Sequence, residues 1–414
     1  MKTVTNKQSN LFTSTTKKYP PLGLKKMQLV SSIDELDRFC SDVLTTSKYV
    51  AIDTEFMRHN TYYAKVCLIQ LAFQEGKNKR ILLIDPLVKD INLKPLENLL
   101  INEKVTKVIH AGRQDLEIFL NLFNVLPIPL FDTQIAGMVC GKGEQESYEN
   151  LVKNLLGKQV NKAYQFTDWT KRPLSDEQIK YASEDVSYLC DLFESLEIEL
   201  DELGRSAWII EEIEKLTDKT NYNTKAIYSL KKIQSISGNN HFKNSVAILL
   251  DFRESLAQEL NLPRNHVIRD TIILKLAKIL PKNTSELEKL KIFSSKIKDP
   301  SSYYSRILEI CAKQRMLNEQ KPNVSANTKM DEYTINIITL LKILLKLKCT
   351  ELGVPSKLIA TTKDLEIIAT HKKPDVAALK GWRQEVFGFD ALRLKEREIA
   401  LSVGKNSIEI VEIK

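Results

Sequence analysis

The chain has 414 residues, 43% of them hydrophobic, and a formal net charge of +8. This suits a globular protein of two or three domains, and no run of about 18 apolar residues is available for a membrane-spanning helix. The charge is uneven: residues 27–200 carry −7 and residues 221–329 carry +10. One part would gather cations and the other anions, although a solvated Lys-rich surface gives the same count. Six cysteines (Cys40, Cys67, Cys140, Cys190, Cys311, Cys349) are scattered without C-x-x-C spacing. That argues against structural zinc and for reduced thiols in a cytosolic protein.

In chain order, residues 1–26 hold six Lys, no acid and few apolar residues. They read as a disordered extension or a misassigned start, with Met27 as the alternative first residue, and they lack the apolar core of a signal peptide. Gln28–Val43 reads as a strand and a helix opened at Ser31 or Ser32. Strand-like runs follow at Tyr49–Phe56, Val66–Gln74 and Ile81–Pro86, with the Gly76–Asn78 turn pairing the last two antiparallel. Leu93–Leu100, Asp115–Leu122, Gln134–Val139 and Ser147–Leu156 read as helices, and Lys107–His110 and Leu130–Thr133 as strands. Leu174–Phe193 reads as a helix with a capping box at Ser175 and Gln178. Glu194–Leu230 is mostly helical, and Ser235–Asn240 is a turn-rich break. Val246–Glu259, Ile272–Leu280, Thr284–Leu290 and the apolar stretch Ile337–Leu347 then read as core helices. The pattern says α/β followed by all-α.

Side chains on a strand alternate faces, so Asp53 and Glu55 project together from an otherwise apolar run. A strand end whose acids face water would carry such a pair. So would a site where a divalent cation relieves their repulsion. Asp115 falls in the first turn of its helix, where an acid also suits the helix dipole. Tyr181 and Asp185 are four apart and neighbours on one helical face, as two surface residues could also be.

Together, D-x-E at Asp53–Glu55, a mid-chain Asp115 and Y-x-x-x-D at Tyr181–Asp185 resemble the motifs of the DEDD 3′–5′ exonucleases, tyrosine branch. DTEFMRHNTYY, LIQL, HAGRQDLE, FDTQIAG, DWTKRPL and YASEDVSYL stand in the order found in the ribonuclease D family. Residues 239–320 resemble an HRDC domain, through Arg253, the Asn261–Asn265 turn and Ile272–Leu280. Residues 330–414 resemble a second, weaker copy. The resemblance implies a ribonuclease-H-like mixed-sheet exonuclease domain over 27–220, followed by the two small helical HRDC domains. It implies two divalent ions, Mg²⁺ or Mn²⁺. Asp53 would bridge them, Glu55 and Asp185 would hold the ion bearing the attacking water, and Asp115 would support the other. Tyr181 would orient the water. The implied substrate is RNA with a free 3′-hydroxyl, tRNA precursors among them, handled in the cytoplasm by a monomer without a membrane or an obligate protein partner.

Arg58, Tyr62, His110 and Arg172 are candidates for substrate contact near the site, with His59, Tyr63 and Gln70 close in sequence. Arg253 and Arg264, with Lys243, Arg269 and Lys275, are candidates for phosphate contact in the first helical copy, where the positive charge sits. Trp169 reads as packing for the 157–173 loop. Two other functions use the same residues: a DNA exonuclease on the same fold, and a nucleic-acid-binding protein that has lost catalysis. No G-x-x-x-x-G-K-[ST] loop accompanies a helicase role, and the complete set of four acids and a tyrosine weighs against lost catalysis.

Overall fold

A computed structural model describes residues 27–30, 33–222, 233, 236–320, 330–405 and 407–413. The expectations for residues 1–26 and for a helix cap at Ser31 or Ser32 lie outside them. The N-terminal half runs β1 (Met27–Val30), α1 (Ile33–Thr46), β2 (Tyr49–Met57), β3 (Lys65–Glu75), β4 (Asn78–Ile84), α2 (Lys94–Leu100), β5 (Thr106–Ile109) and α3 (Arg113–Phe123). It continues with β6 (Leu130–Asp132), α4 (Thr133–Val139), α5 (Tyr148–Leu151), α6 (Asp176–Glu202) and α7 (Ser206–Thr217). The sheet has the order β1-β4-β3-β2-β5-β6. β2 to β4 are antiparallel neighbours, while β5 and β6 run parallel to β2, and β1 to β4. The two-residue turn between β3 and β4 opens at Gly76, whose φ of 60° only glycine adopts freely. The predicted helix Ser147–Leu156 is α5 followed by one π-helical turn (Val152–Leu156), ending at Gly157 with φ 64°.

Period-two alternation on β2 decides which residues meet which layer. Val50 and Ile52 join the core formed with Leu36, Phe39 and Val43 of α1 and Leu116 and Phe119 of α3. Tyr49 and Ala51 point the other way, to the core built with Val186, Leu189 and Phe193 of α6. Asp53 and Glu55 continue this second row, beneath α6. The helix is fixed across the sheet by Tyr49 Oη donating to Glu194 at 3.0 Å. Lys79 Nζ likewise donates to Asp191 at 2.6 Å and to the Ser187 carbonyl at 2.9 Å.

Beyond α7 the chain forms two helical regions. The first comprises Asn240–Glu259, Arg264–Val267, Asp270–Ile279, Thr284–Leu290 and Tyr304–Gln320, around its own core. The second repeats the opening of that succession with Glu332–Leu352, Ser356–Ile359 and Thr362–Thr370, and Pro263 and Pro355 each precede the four-residue helix. It ends in a two-stranded hairpin, β7 (Ile399–Val403) and β8 (Ile408–Glu412), that the hydrophobic pattern did not reveal.

The two regions meet the sheet domain differently. The second shares one continuous core with it. Trp382 stacks on Trp208 of α7, with ring centroids 4.0 Å apart and planes at 8°. Arg383 is bound by Glu211 at 2.5 Å and by Glu212. Arg205 ties the carbonyls of Val139 (2.8 Å) and Leu352 (2.7 Å). At Gly141 a Cβ would lie 2.5 Å from the Gly353 carbonyl oxygen, so the backbones approach where only glycine fits. The first region takes up Tyr62, from the loop after β2, which is 3% exposed inside that region's core, and Asn261 Oδ1 accepts from the N–H groups of Tyr62 and Tyr63 at 3.0 Å each.

Candidate active site

β2 pairs with β5 only as far as Ala51–Val108. Past that point β5 ends and the chain turns into α3, while β2 continues against β3 alone, with Asp53 opposite Gln70 and Glu55 opposite Leu68. The sheet therefore splits at the carboxyl ends of parallel strands, the usual place for a site in such sheets. The turn has little freedom. Ala111 has φ 50°, and a Cβ on Gly112 would fall 1.9 Å from Ile109 Cδ1. Asp132 holds the turn, accepting from the N–H groups of Ala111 (3.1 Å), Gly112 (2.9 Å), Gln134 (2.8 Å) and Ile135 (3.3 Å). One carboxylate thus fixes the starts of α3 and α4 together. Sequence reading passed over it, although an Asp directly before a helix is an N-cap signal.

α6 closes the site from above. Its capping box at Ser175 and Gln178 forms as predicted, and Gln178 Nε2 also donates to Thr167 Oγ1 at 3.1 Å, tying the 157–173 loop to the helix start. Asp185 interrupts the apolar stripe of α6 directly over β2. Tyr181 stands beside Asp185, one helical turn before it, and both line the cavity described below. The Tyr181 ring lies 6.0 Å from that of Trp169, which is 1% exposed and packs the loop as expected.

One carboxylate oxygen each from Asp53, Glu55 and Asp185 falls within 4.8 Å of the others. Asp115 stands beside this trio and accepts from Thr54 Oγ1, which leaves the opposite face of β2. Burial, assisted by the negative charges of Asp53, Asp185 and Asp115, pushes the Glu55 carboxyl up to about 10. Burial raises Asp53 to about 6, and burial with the Asp53 charge raises Asp115 to about 8. Asp185 is raised well above the usual carboxylate range by the same two causes. The donor set is oxygen only, with more negative charge than its surroundings neutralise. A hard divalent cation fits it, and a thiolate- or imidazole-preferring metal does not.

Beside the trio lies a cavity of about 150 Å³, lined by Asp53, His110, Tyr148, Lys162, Tyr181 and Asp185 among others. His110 Nδ1 is 2.9 Å from Thr133 Oγ1, and burial lowers its pKa to about 4, so the ring is neutral at physiological pH. Tyr148, which carried no sequence signal of its own, donates to the Asp185 carbonyl and stacks edge-on to His110.

The remaining substrate candidates have protein partners instead. Arg172 clasps Asp85 with two nitrogens at 2.5 and 2.7 Å and also binds the Cys67 and Trp169 carbonyls, pinning its loop to the sheet. Arg58 pairs with Glu117 of α3 at 2.7 Å and donates to the Tyr62 carbonyl at 3.1 Å. Tyr62 donates to the fully buried Glu254. Arg264 grips Glu254 at 2.6 Å through both oxygens. Arg253, itself 0% exposed, donates to Asp270 at 2.7 Å and to the Ile268 carbonyl at 2.8 Å. Arg172, Arg253 and Arg264, the candidates for phosphate contact, thus each stand in an ion pair, Arg253 fully buried and Arg172 and Arg264 each 26% exposed. A guanidinium buried with a carboxylate is not available to a phosphate without breaking that pair.

A family model described as a 3′–5′ exonuclease matches residues 27–201, and one described as the HRDC domain matches residues 243–311. The chain is 39% identical to a ribonuclease D of Jannaschia sp. (strain CCS1), an alignment covering 93% of this chain and 99% of that one. It is 36% identical to a ribonuclease D of Granulibacter bethesdensis, covering 92% and 96%. Among solved structures it resembles Escherichia coli RNase D, described as an exoribonuclease involved in structured RNA processing. The TM-score is 0.75 at 26% identity, over 90% of this chain and 99% of that one.

Proposed function

Because this chain belongs to the ribonuclease D family and is a 3′–5′ exoribonuclease, we propose that it trims structured RNAs, tRNA precursors among them, at the carboxylate cluster over β2. The observation that carries this reading is the convergence of Asp53, Glu55 and Asp185 within 4.8 Å, with Asp115 adjacent. In this reading these four residues hold two divalent ions. When bound, the ions supply Lewis acidity for the attacking water and charge relief for the leaving oxygen.

The chain's own groups account for the rest. Tyr181, beside Asp185 in the cavity, would orient a water toward the scissile phosphorus. Burial raises the Tyr181 phenol still further above its ordinary value, so this residue positions rather than deprotonates. His110, neutral, offers a hydrogen bond to the terminal nucleotide in the cavity, and Tyr148 shapes that cavity's wall. Water adds to phosphorus, the P–O3′ bond breaks, and the penultimate 3′-oxygen takes up a proton. The products are a 5′-mononucleotide and an RNA shortened by one residue. We take both helical regions as HRDC modules that receive the body of the RNA.

The test compares a 5′-labelled tRNA bearing a 3′ extension with a DNA strand of matching sequence. The reading expects a ladder shortening one nucleotide at a time on the RNA. A ladder mainly on DNA would overturn the RNA assignment.

A further inference from the structure

The second helical region, which the HRDC family model does not reach, carries a groove of about 770 Å³. Four lysines line it: Lys342 and Lys346 from the helix Glu332–Leu352, Lys357 from Ser356–Ile359, and Lys363 from Thr362–Thr370. All four are exposed, and no carboxylate lines the groove among the described residues. Its floor is the apolar pair Leu345 and Leu365.

Lys342 and Lys346 are one helical turn apart, and like charges at that spacing repel. Lys363 faces the same hollow and adds to that repulsion, while Lys357 at the rim is paired with Glu144. A ligand able to relieve it must be polyanionic, elongated enough to follow the groove, and apolar enough on one face to rest on leucine. An RNA strand meets all three requirements through its phosphates and its sugar and base faces.

Position supports the same ligand. Lys357 is paired at 2.5 Å with Glu144. Glu144 lies four residues before Tyr148, which lines the active cavity. Four residues of chain span at most about 14 Å, so the groove's rim lies within a few nucleotides of the cavity.

Building on the exonuclease reading above, we propose that this lysine groove binds the phosphate backbone of the RNA on the 5′ side of the nucleotide being removed. The first helical region was the sequence-based candidate for this contact. Of its candidates, Arg253 and Arg264 are held in ion pairs, while Lys342, Lys346 and Lys363 of the second region line one open groove.

The test uses the full-length triple variant Lys342→Gln/Lys346→Gln/Lys363→Gln. The control is Lys278→Gln/Lys289→Gln/Lys291→Gln, three exposed lysines of the first region. Binding of a structured RNA is measured against salt in chelator, so the readout is independent of cleavage. Each lost phosphate contact lowers the slope of log K against log salt by roughly 0.7 to 1, so the groove variant should lose about 2 to 3. KM for that RNA should rise while kcat stays within about twofold, and hydrolysis of a trinucleotide should be unchanged. A slope equal to wild type, or lowered no more than in the control, overturns the groove. Failure of the wild-type protein to hydrolyse the trinucleotide would instead overturn the exonuclease reading and leave the salt measurement to decide the groove separately.

Discussion

Replacing Glu55 by Gln should stabilise the metal-free protein, and more so as pH rises. Glu55 is 9% exposed and faces Asp53, Asp185 and Asp115, which together with burial raise its pKa from 4.5 to about 10. An acid raised in the folded state contributes stability that is fully present below its unfolded value. That contribution is lost as pH climbs toward the folded value. From pH 5.5 to pH 8 the carboxyl is ionised in the unfolded chain but protonated in the fold. At ~1.4 kcal/mol per pH unit, that interval weakens the wild-type fold by about 3 kcal/mol through this one group. Gln keeps the shape and removes the titration. In chelator, the variant should therefore gain on wild type between the two pH values by an amount of that order, read from denaturant midpoints. Added Mg²⁺ should then reverse the order at pH 8, because a ligand that binds only the folded state stabilises it by mass action. The reasoning fails if the variant is no more stable than wild type in chelator at pH 8, or if Mg²⁺ stabilises both proteins equally.

Gly112→Ala should cost about 2 kcal/mol or more, because its Cβ would overlap Ile109 Cδ1 at the mouth of α3; chemical denaturation measures this, and activity should fall with it as Asp115 moves. Tyr62→Phe leaves the buried Glu254 without the tyrosine hydroxyl, which Gln258 (3.0 Å) also donates to. A loss of about 1 to 3 kcal/mol is expected for the first helical region, seen as earlier protease cleavage within residues 240–317 with trinucleotide hydrolysis retained. Tyr181→Phe should lower kcat at least tenfold while the Mg²⁺-induced rise in thermal stability persists; loss of that rise would show the hydroxyl serving the metal site itself.

Much of the site was legible because its residues are close in sequence or follow a helical or strand period. Asp53 and Glu55 share a face by alternation, Tyr181 and Asp185 by the i, i+4 relation, and the helix bearing them starts at a readable capping box. What was not legible depends on distant partners. Nothing near Arg172 in sequence announces its partner Asp85, 87 residues earlier. Arg253 and Arg264 look exposed because arginine usually is, but Asp270 and Glu254 draw them into the fold. Tyr148 contributes to the cavity only because α5 is laid against α6, a tertiary fact with no local signature. The shared core between the sheet domain and the second helical region likewise depends on Trp208 meeting Trp382 across 174 residues.

The most direct measurement of the central claim follows a 5′-labelled RNA with Mg²⁺, for wild type and Asp53→Asn, alongside calorimetric titration of each protein with Mg²⁺. The account predicts stepwise shortening from the 3′ end by wild type. It predicts no shortening by Asp53→Asn, whose Mg²⁺ affinity should be greatly weakened while RNA binding in chelator is retained. Undiminished shortening by Asp53→Asn would contradict the placement of the active site over β2.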